Sequence, residues 1–251
     1  MSGTDHGKLE DWAGPTPVFV LVRPQMGENI GAAARAMWNF GLDRMRLVSP
    51  RDGWPNPKAV AMASGAAQVI DNAMIAETTA DAIGDLNFVF ATTARSRDLT
   101  KKVLTPEQAM VQARAMTGQG ATVGVLFGPE RAGLENEDIV QANALISVPV
   151  NPAFASLNLA QCVLLTAYEW RRQREGSAAP EDISRATAIE MQKLQEKLEQ
   201  RLDAAGFFFP ENKRASMVLN LRNMLSRMPM TDADTRLMHG VIRALADRTP
   251  R

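Results

Sequence analysis

Residues 122–134 read TVGVLFGPERAGL, a strand-like run followed at once by a loop-like one. The first half is apolar at successive positions, which is typical of a strand buried on both faces of a parallel sheet. The second half is rich in Gly, Pro and charged residues, which predicts an irregular loop. Because ligands bind at the carboxyl ends of strands in open parallel sheets, this stretch predicts an α/β fold with a ligand site after the strand.

The same alternation extends outward to about residue 170 and predicts a parallel sheet with helices on both faces. Beyond residue 170 the pattern is helical, and a Gly/Ser/Ala/Pro stretch near residues 173–180 indicates a linker. The predicted organisation is a disordered leader (1–14), an α/β domain (15–172), a linker with a connecting helix (173–205) and a small helical module (206–251). The predicted strands are 17–22, 45–49, 87–92, 122–127 and 144–150; the predicted helices are 29–40, 56–64, 78–84, 105–116, 136–142, 181–202, 212–226 and 232–247.

The composition excludes several kinds of chemistry. The chain has one cysteine, Cys162, and two histidines, His6 and His239, so we expect no metal site, no disulfide and no histidine base. The most apolar stretch, residues 153–170, is interrupted by polar side chains and is a poor membrane span. No signal peptide is recognisable, so we expect a cytoplasmic protein.

The net charge of zero conceals an uneven distribution. Residues 1–170 hold 13 basic and 17 acidic side chains, whereas residues 206–251 hold eight basic and four acidic ones. A basic module next to an acidic domain is compatible with a polyanionic partner. On charge alone, a solvated helical face explains it as well.

Small and polar residues follow three of the predicted strands, at Thr92–Arg97, Gly128–Leu134 and Asn151–Ala160. If these loops converge, they form a pocket rich in backbone N–H and C=O groups, which suits a ligand the size of adenosine. The two common phosphate-loop fingerprints are absent, which weakens a nucleotide-binding enzyme as an alternative.

Three ordered motifs then identify a family resemblance. Asn29-x-Gly31-x-x-x-Arg35, Phe127-Gly128-Pro129-Glu130-x-x-Gly133-Leu134 and Ser156-Leu157-Asn158-Leu159 resemble the motifs of the SpoU/TrmH family, RNA 2′-O-ribose methyltransferases of the SPOUT superfamily. The run Thr92–Arg97 and the helical C-terminal extension resemble the TrmJ branch, which modifies nucleotide 32 in the tRNA anticodon loop.

The resemblance implies a SPOUT-type sheet with a C-terminal trefoil knot, S-adenosylmethionine as cofactor, tRNA as substrate and a homodimer with active sites at the subunit interface. Knots are rare among known folds, and nothing in the sequence pattern predicts one. The expectation of a knot therefore rests only on the resemblance. Gly31 and the three alanines that follow it would suit close helix packing at that interface, or equally an internal contact.

The resemblance also assigns site residues. Arg35 resembles the family's catalytic arginine, which is proposed to assist deprotonation of the ribose 2′-hydroxyl. Because a guanidinium is a poor base, we expect it to bind a neighbouring phosphate and stabilise negative charge on oxygen. Glu130 either pairs with an arginine or orders its loop through hydrogen bonds. The remaining catalytic candidates are Asn29, Ser156 and Asn158.

Two further sets of residues complete the predicted site. The cofactor would contact mainly backbone groups, and Ala155 departs from relatives that place a hydroxyl there; the cofactor residues are Thr92, Thr93, Ala94, Gly128, Val148, Ala155, Ser156 and Leu157. The basic clusters either bind RNA phosphates or are solvated surface; the RNA-binding candidates are Arg95, Arg97, Lys101, Lys102, Arg214, Arg222 and Arg227.

The leading hypothesis is therefore a homodimeric tRNA ribose 2′-O-methyltransferase. One alternative is the same reaction on ribosomal RNA. Ribosomal members often carry an N-terminal RNA-binding domain, and only about 14 residues precede the first strand here, which favours tRNA. Another alternative is an RNA-binding protein that keeps the pocket without turnover.

Overall fold

The structure is a computed structural model and describes residues 14–94, 101–173 and 184–246. Within these ranges, seven parallel strands form one sheet in the order β3-β2-β1-β6-β4-β7-β5. The five predicted strands are all present, and the sheet gains two short ones. The strands are β1 (Val18–Val22), β2 (Met45–Val48), β3 (Met74–Ala76), β4 (Phe88–Thr92), β5 (Val103–Leu104), β6 (Val123–Phe127) and β7 (Ala144–Ile146).

The helices confirm the predicted alternation and the helical C-terminal region. Helices follow most strands, and three more helices follow the α/β part of the described chain. They are α1 (Gly27–Asn39), α2 (Pro57–Ala63), α3 (Ala67–Asp71), α4 (Thr79–Ile83), α5 (Pro106–Gly118), α6 (Asn136–Ile139), α7 (Leu159–Arg172), α8 (Ala188–Ala204), α9 (Arg214–Ser226) and α10 (Asp232–Ala246). None of the described helices is both long and apolar enough to cross a membrane.

The interior strand β1 shows that the sheet is covered on both faces. All five of its residues are fully buried, because alternate side chains enter different cores. Phe19 and Leu21 pack under helices α1, α2, α3, α5 and α7. Val18, Val20 and Val22 pack on the other face with α4 and α6. The α/β fold is thereby confirmed; the trefoil knot stays a prediction.

Helices α8 to α10 pack at the amino ends of the strands. The Ala188 N–H donates to the Leu86 carbonyl at 2.7 Å, and Asn87 Nδ2 donates to the Arg185 carbonyl at 2.8 Å, just before β4 begins. Leu194 of α8, Ile242 of α10 and Met230 from the segment before α10 form a small separate core. The three helices therefore lie at the sheet edge opposite the loops in which the ligand site is predicted. The domain boundaries themselves stay predictions.

Candidate active site

Three loops at the carboxyl ends of β4, β6 and β7 enclose a cavity of about 280 Å³. Ligand pockets in proteins start at about this size. The eight residues predicted to bind the cofactor all lie on its wall, together with the catalytic candidate Glu130: Thr92, Thr93, Ala94, Gly128, Val148, Ala155, Ser156 and Leu157. The sequence therefore placed these residues around one cavity correctly, and their binding role stays a prediction.

The loop after β6 is folded tightly against itself at Gly128. A Cβ atom there would lie 2.3 Å from the backbone nitrogen of Leu134 and 2.5 Å from the carbonyl carbon of Gly133. No ordinary side chain tolerates such a contact, so this position must be glycine unless the loop moves. The Gly133 N–H donates to the Pro129 carbonyl at 2.9 Å and closes the turn.

Glu130 anchors the same loop to the entrance of α1. Its carboxylate accepts hydrogen bonds from the Gln25 N–H at 2.9 Å, the Met26 N–H at 3.3 Å and Asn29 Nδ2 at 2.7 Å. Of the two roles open to Glu130 from the sequence, the structure shows loop ordering by hydrogen bonds. Charge-assisted bonds of this kind are among the stronger ones in proteins.

Asn29 extends this network to the third motif. Its Oδ1 accepts a hydrogen bond from Asn158 Nδ2 at 3.0 Å. Asn158 also begins helix α7, because its Oδ1 accepts from the Ala160 N–H at 2.8 Å. A continuous chain Glu130–Asn29–Asn158 thus joins all three motifs beside the cavity.

Arg35 is not on the cavity wall of its own chain. It lies exposed on α1, six residues beyond Asn29 and therefore on a different side of the helix. Ser156, by contrast, is on the wall. The structure brings Asn29, Glu130, Ser156 and Asn158 together and leaves Arg35 outside that group.

The small residues of α1 have an internal role. A Cβ at Gly31 would lie 2.2 Å from the Ala59 carbonyl oxygen and 2.8 Å from Met62 Cβ, so Gly31 lets α1 approach α2 closely. Ala33 and Ala34 are buried in the core on the same face of the sheet. The sequence allowed Gly31 to pack either at a dimer interface or inside the subunit, and the structure shows the contact inside the subunit.

The prediction that Lys101 binds RNA is wrong, because its side chain is buried. Only 7% of its surface is exposed, and its ammonium donates to the carbonyls of Val140 at 3.2 Å and Ala142 at 2.6 Å and to Ser226 Oγ. Burial, together with the nearby charge of Arg227, lowers the pKa of Lys101 to about 7. A side chain so placed is not available to RNA phosphates.

The other RNA-binding candidates differ in their surroundings. Arg222 pairs with Glu199 at 2.6 Å, and Arg214 pairs with Asp203 at 3.1 Å while lying over the Phe208 ring. Lys102 and Arg227 are exposed. Arg95 and Arg97 lie outside the described residues.

Among the wall residues that the sequence did not assign to the site, Arg131 and Cys162 carry a charge and a thiol. Arg131 lies within the second motif and is exposed at the cavity, so its position in the motif was an available signal. Cys162, interpreted from the sequence as a buried apolar residue, reaches the wall from the first turn of α7. Burial raises the pKa of its thiol to about 12, so it acts as an apolar, unreactive wall atom. Among the described residues, no cluster of three or more His, Cys, Asp or Glu side chains could hold a metal.

The comparisons with known proteins agree with this geometry. The chain is 33% identical to the tRNA (cytidine/uridine-2′-O-)-methyltransferase TrmJ of Pectobacterium atrosepticum, over 89% of this chain and 94% of that protein. The crystal structure of TrmJ from Z. mobilis ZM4 superposes with a TM-score of 0.84 at 47% identity and covers 92% of this chain and 99% of that one.

A more distant solved structure shares the fold. AviRb from Streptomyces viridochromogenes, a SpoU methyltransferase in complex with AdoMet, has a TM-score of 0.50 at 18% identity over 71% of this chain and 64% of its own. The SpoU rRNA Methylase family matches residues 16–168, which is more than half of the chain. The chain therefore belongs to the SpoU methylase family.

Proposed function

We propose that this protein is an S-adenosylmethionine-dependent tRNA ribose 2′-O-methyltransferase that acts on nucleotide 32 of the anticodon loop. The observation that carries the proposal is the cavity at the carboxyl edge of the sheet, with the Glu130–Asn29–Asn158 network beside it. Family membership supports the methyl transfer, and the names of the TrmJ relatives support tRNA and the 2′-oxygen.

The cavity wall fits S-adenosylmethionine chemically. Ile146, Val148, Leu157 and Leu159 supply apolar surface for an adenine ring, and the turn at Gly128 presents backbone polar groups. Arg131 is the only cation on the wall among the residues that the structure describes, and it suits the carboxylate end of the cofactor. When bound, the cofactor supplies a methyl group activated on a sulfonium, so the protein needs to orient the ribose hydroxyl and manage its proton.

The residues of the chain divide this task. Glu130, Asn29 and Asn158 fix the three motif loops relative to each other, and Ser156 offers a hydroxyl on the wall. Arg35 would bind the phosphate next to the target ribose and stabilise negative charge developing on the oxygen. Because Arg35 is outside its own cavity, we place it at the cavity of a second subunit in a homodimer.

A patch of exposed apolar side chains supports the dimer. Leu164, Leu165 and Tyr168 lie on the solvent side of α7, and Phe154 precedes that helix with 76% of its surface exposed. Helix α7 packs against α1, which carries Arg35. Covering this patch with a second copy would bury apolar surface and bring Arg35 to the subunit interface.

The C-terminal helices would contribute to tRNA binding at a distance from the cavity. They lie at the opposite edge of the sheet, and a five-residue strand such as β4 spans about 16 Å. A folded tRNA is larger than this distance and can contact both regions. Exposed cations such as Lys102 and Arg227 are the candidates for these contacts.

The test is methyl transfer from labelled S-adenosylmethionine to separate pools of tRNA and ribosomal RNA, followed by ribose-methylation mapping. We expect label at nucleotide 32 of tRNA. The family description names ribosomal RNA, so label only in that pool would favour the alternative substrate. No transfer to either pool by a protein that binds the cofactor would favour a non-catalytic RNA-binding role.

Arg35→Ala tests both the catalytic role and the dimer. We expect turnover to fall about 100-fold or more while cofactor affinity is unchanged. Mixing Arg35→Ala with an Ala155→Trp variant, whose indole fills the cavity from its wall, should restore about a quarter of wild-type activity, because half of the dimers are mixed and each holds one intact site. Absence of recovery in mixed dimers would place Arg35 and its cavity in the same subunit.

A further inference from the structure

Arg23 is a basic residue directly beyond β1 that the motifs do not include. Its φ is +46°, a left-handed backbone conformation that a residue other than glycine seldom adopts. Its N–H donates to the Val48 carbonyl at 2.8 Å, which ties it to the end of β2. Such strained positions persist only where the surrounding contacts hold them, and they often occur near functional sites.

The Arg23 guanidinium forms a two-pronged ion pair with Asp138. Nη2 contacts Asp138 Oδ2 and lies 3.3 Å from Glu135 Oε2, and Nη1 lies 3.4 Å from Asp138 Oδ1. Asp138 is buried, and it also accepts from Thr79 Oγ1 at 2.7 Å and from the Glu135 N–H at 3.1 Å. A planar guanidinium matches this arrangement, whereas a lysine ammonium offers one point charge.

The cavity loop 128–134 is thus held at both ends by the same short segment of the chain. On one side, Glu130 binds the backbone of Gln25 and Met26 and the side chain of Asn29. On the other side, Glu135 and Asp138 bind Arg23. Between these two attachments run the loop residues that form part of the cavity wall.

We propose that Arg23 is a positioning residue for the cofactor: by holding the far end of loop 128–134, it sets the affinity of the cavity for S-adenosylmethionine. Arg23 is not on the cavity wall, so it acts through the loop. This role rests on the proposed function, because it assumes that the cavity holds that cofactor. A displaced loop would misplace several backbone contacts at once, which is why one distant ion pair affects binding.

The test measures S-adenosylmethionine binding by calorimetry for the wild type, Arg23→Asn and Arg23→Lys. Asparagine tolerates a left-handed backbone, so Arg23→Asn removes the guanidinium with little added backbone strain. We expect its Kd to rise about tenfold or more, the effect of a lost charged hydrogen bond, with an intermediate value for Arg23→Lys. The KM for the cofactor should rise in parallel, while kcat at saturating cofactor stays within about threefold.

Two further variants make the result decisive. Arg44→Asn changes an exposed arginine at the opposite edge of the sheet and should leave the Kd unchanged. Arg23→Asn combined with Asp138→Asn removes both charges, so no carboxylate is left buried alone, and this double variant should fold and bind weakly. Wild-type affinity in Arg23→Asn or in the double variant would overturn the role of Arg23, whereas absence of cofactor binding by the wild type would instead contradict the proposed function.

Discussion

At the residue scale, the side chains of Glu130, Asn29 and Asn158 connect the three motifs through hydrogen bonds. Glu130 accepts three hydrogen bonds, and two of the donors are backbone N–H groups that precede helix α1. The sequence predicted Glu130 and Asn158 as site residues, yet it left the contacts of Glu130 open. A motif records which residue types are present, whereas the donors come from a segment about 100 residues away in the chain.

Glu130→Gln should lower both stability and turnover. Glutamine keeps one acceptor oxygen but turns an NH2 group toward a backbone donor, so at least one N–H loses its partner. The expected loss is about 1 to 2 kcal/mol in the free energy of unfolding, with a fall in kcat of about tenfold. Urea denaturation and a turnover assay measure the two effects.

Glu137→Gln is the matched control, since Glu137 is an exposed carboxylate close to the same loop. Its stability and kcat should equal those of the wild type. If Glu130→Gln behaved like this control, the carboxylate would not be what holds the loop.

At the scale of elements, the long buried strands were predictable and the short edge elements were not. Strands β1, β4 and β6 have five residues each, almost all of them buried, so their apolar runs are clear in the sequence. Strand β3 has three residues with Met74 and Ile75 exposed, and β5 has only two residues. Their strand conformation depends on pairing with β2 and β7, which no local pattern reports.

The start of α8 shows a local signal that was present and not used. The predicted helix 181–202 begins instead at Ala188, because Thr187 and Glu190 form a capping box. Glu190 Oε2 accepts from the Thr187 N–H at 2.7 Å. The T-x-x-E spacing in the sequence is sufficient to predict this boundary.

Gly240→Ala should stabilise helix α10. Gly240 lies in the middle of that helix on its exposed side, and a Cβ there would meet no atom within 4 Å. Replacing glycine by alanine in such a position reduces the backbone entropy lost on folding and should add about 0.5 to 1 kcal/mol. Thermal unfolding of the two proteins measures the change.

We expect Gly31→Ala to destabilise the protein, because its Cβ would lie 2.2 Å from the Ala59 carbonyl oxygen. Gly31→Ala and Gly240→Ala together separate the effect of helix propensity from that of packing. A destabilising Gly240→Ala would contradict the open position of Gly240 on the exposed side of α10.

At the scale of the whole molecule, the count of basic residues overestimates how many unpaired cations the C-terminal helices present to RNA. Residues 206–251 hold twice as many basic as acidic side chains, but Arg214 and Arg222 pair with carboxylates of α8, and Arg236 pairs with Asp232 at 2.9 Å. Lys101 likewise looked like part of a basic surface cluster. Its burial follows from the packing of α9 on the α/β domain, which sequence patterning does not reveal.

The packing of α9 on the α/β domain places the Lys101 amine between that domain and the C-terminal helices. Lys101 Nζ binds the carbonyls of Val140 and Ala142 near the end of α6 and Ser226 Oγ at the end of α9. Asn143 Nδ2 donates to the Ser226 carbonyl at 3.0 Å beside it. Lys101 therefore contributes to the docking of the C-terminal helices, and its protonation is coupled to that docking.

The coupling predicts a pH dependence with a definite sign. The pKa of Lys101 is lowered from 10.5 to about 7 in the folded protein, so between these values the unfolded chain binds more protons than the folded one. Stability then rises with pH in this window. Below about pH 7 Lys101 is charged in both states, so burial of the charge lowers the free energy of unfolding by its full amount. This loss of stability becomes smaller as the pH rises toward 10.5.

Comparison of the wild type with Lys101→Met isolates this contribution. The difference in the free energy of unfolding should move in favour of the wild type by up to about 1.4 kcal/mol per pH unit between pH 7 and 9.5, measured by urea denaturation. Lys102→Met, at an exposed neighbouring position, should show no such trend. A pH-independent difference for Lys101→Met would mean that the amine keeps its proton when buried, because its three acceptors outweigh desolvation.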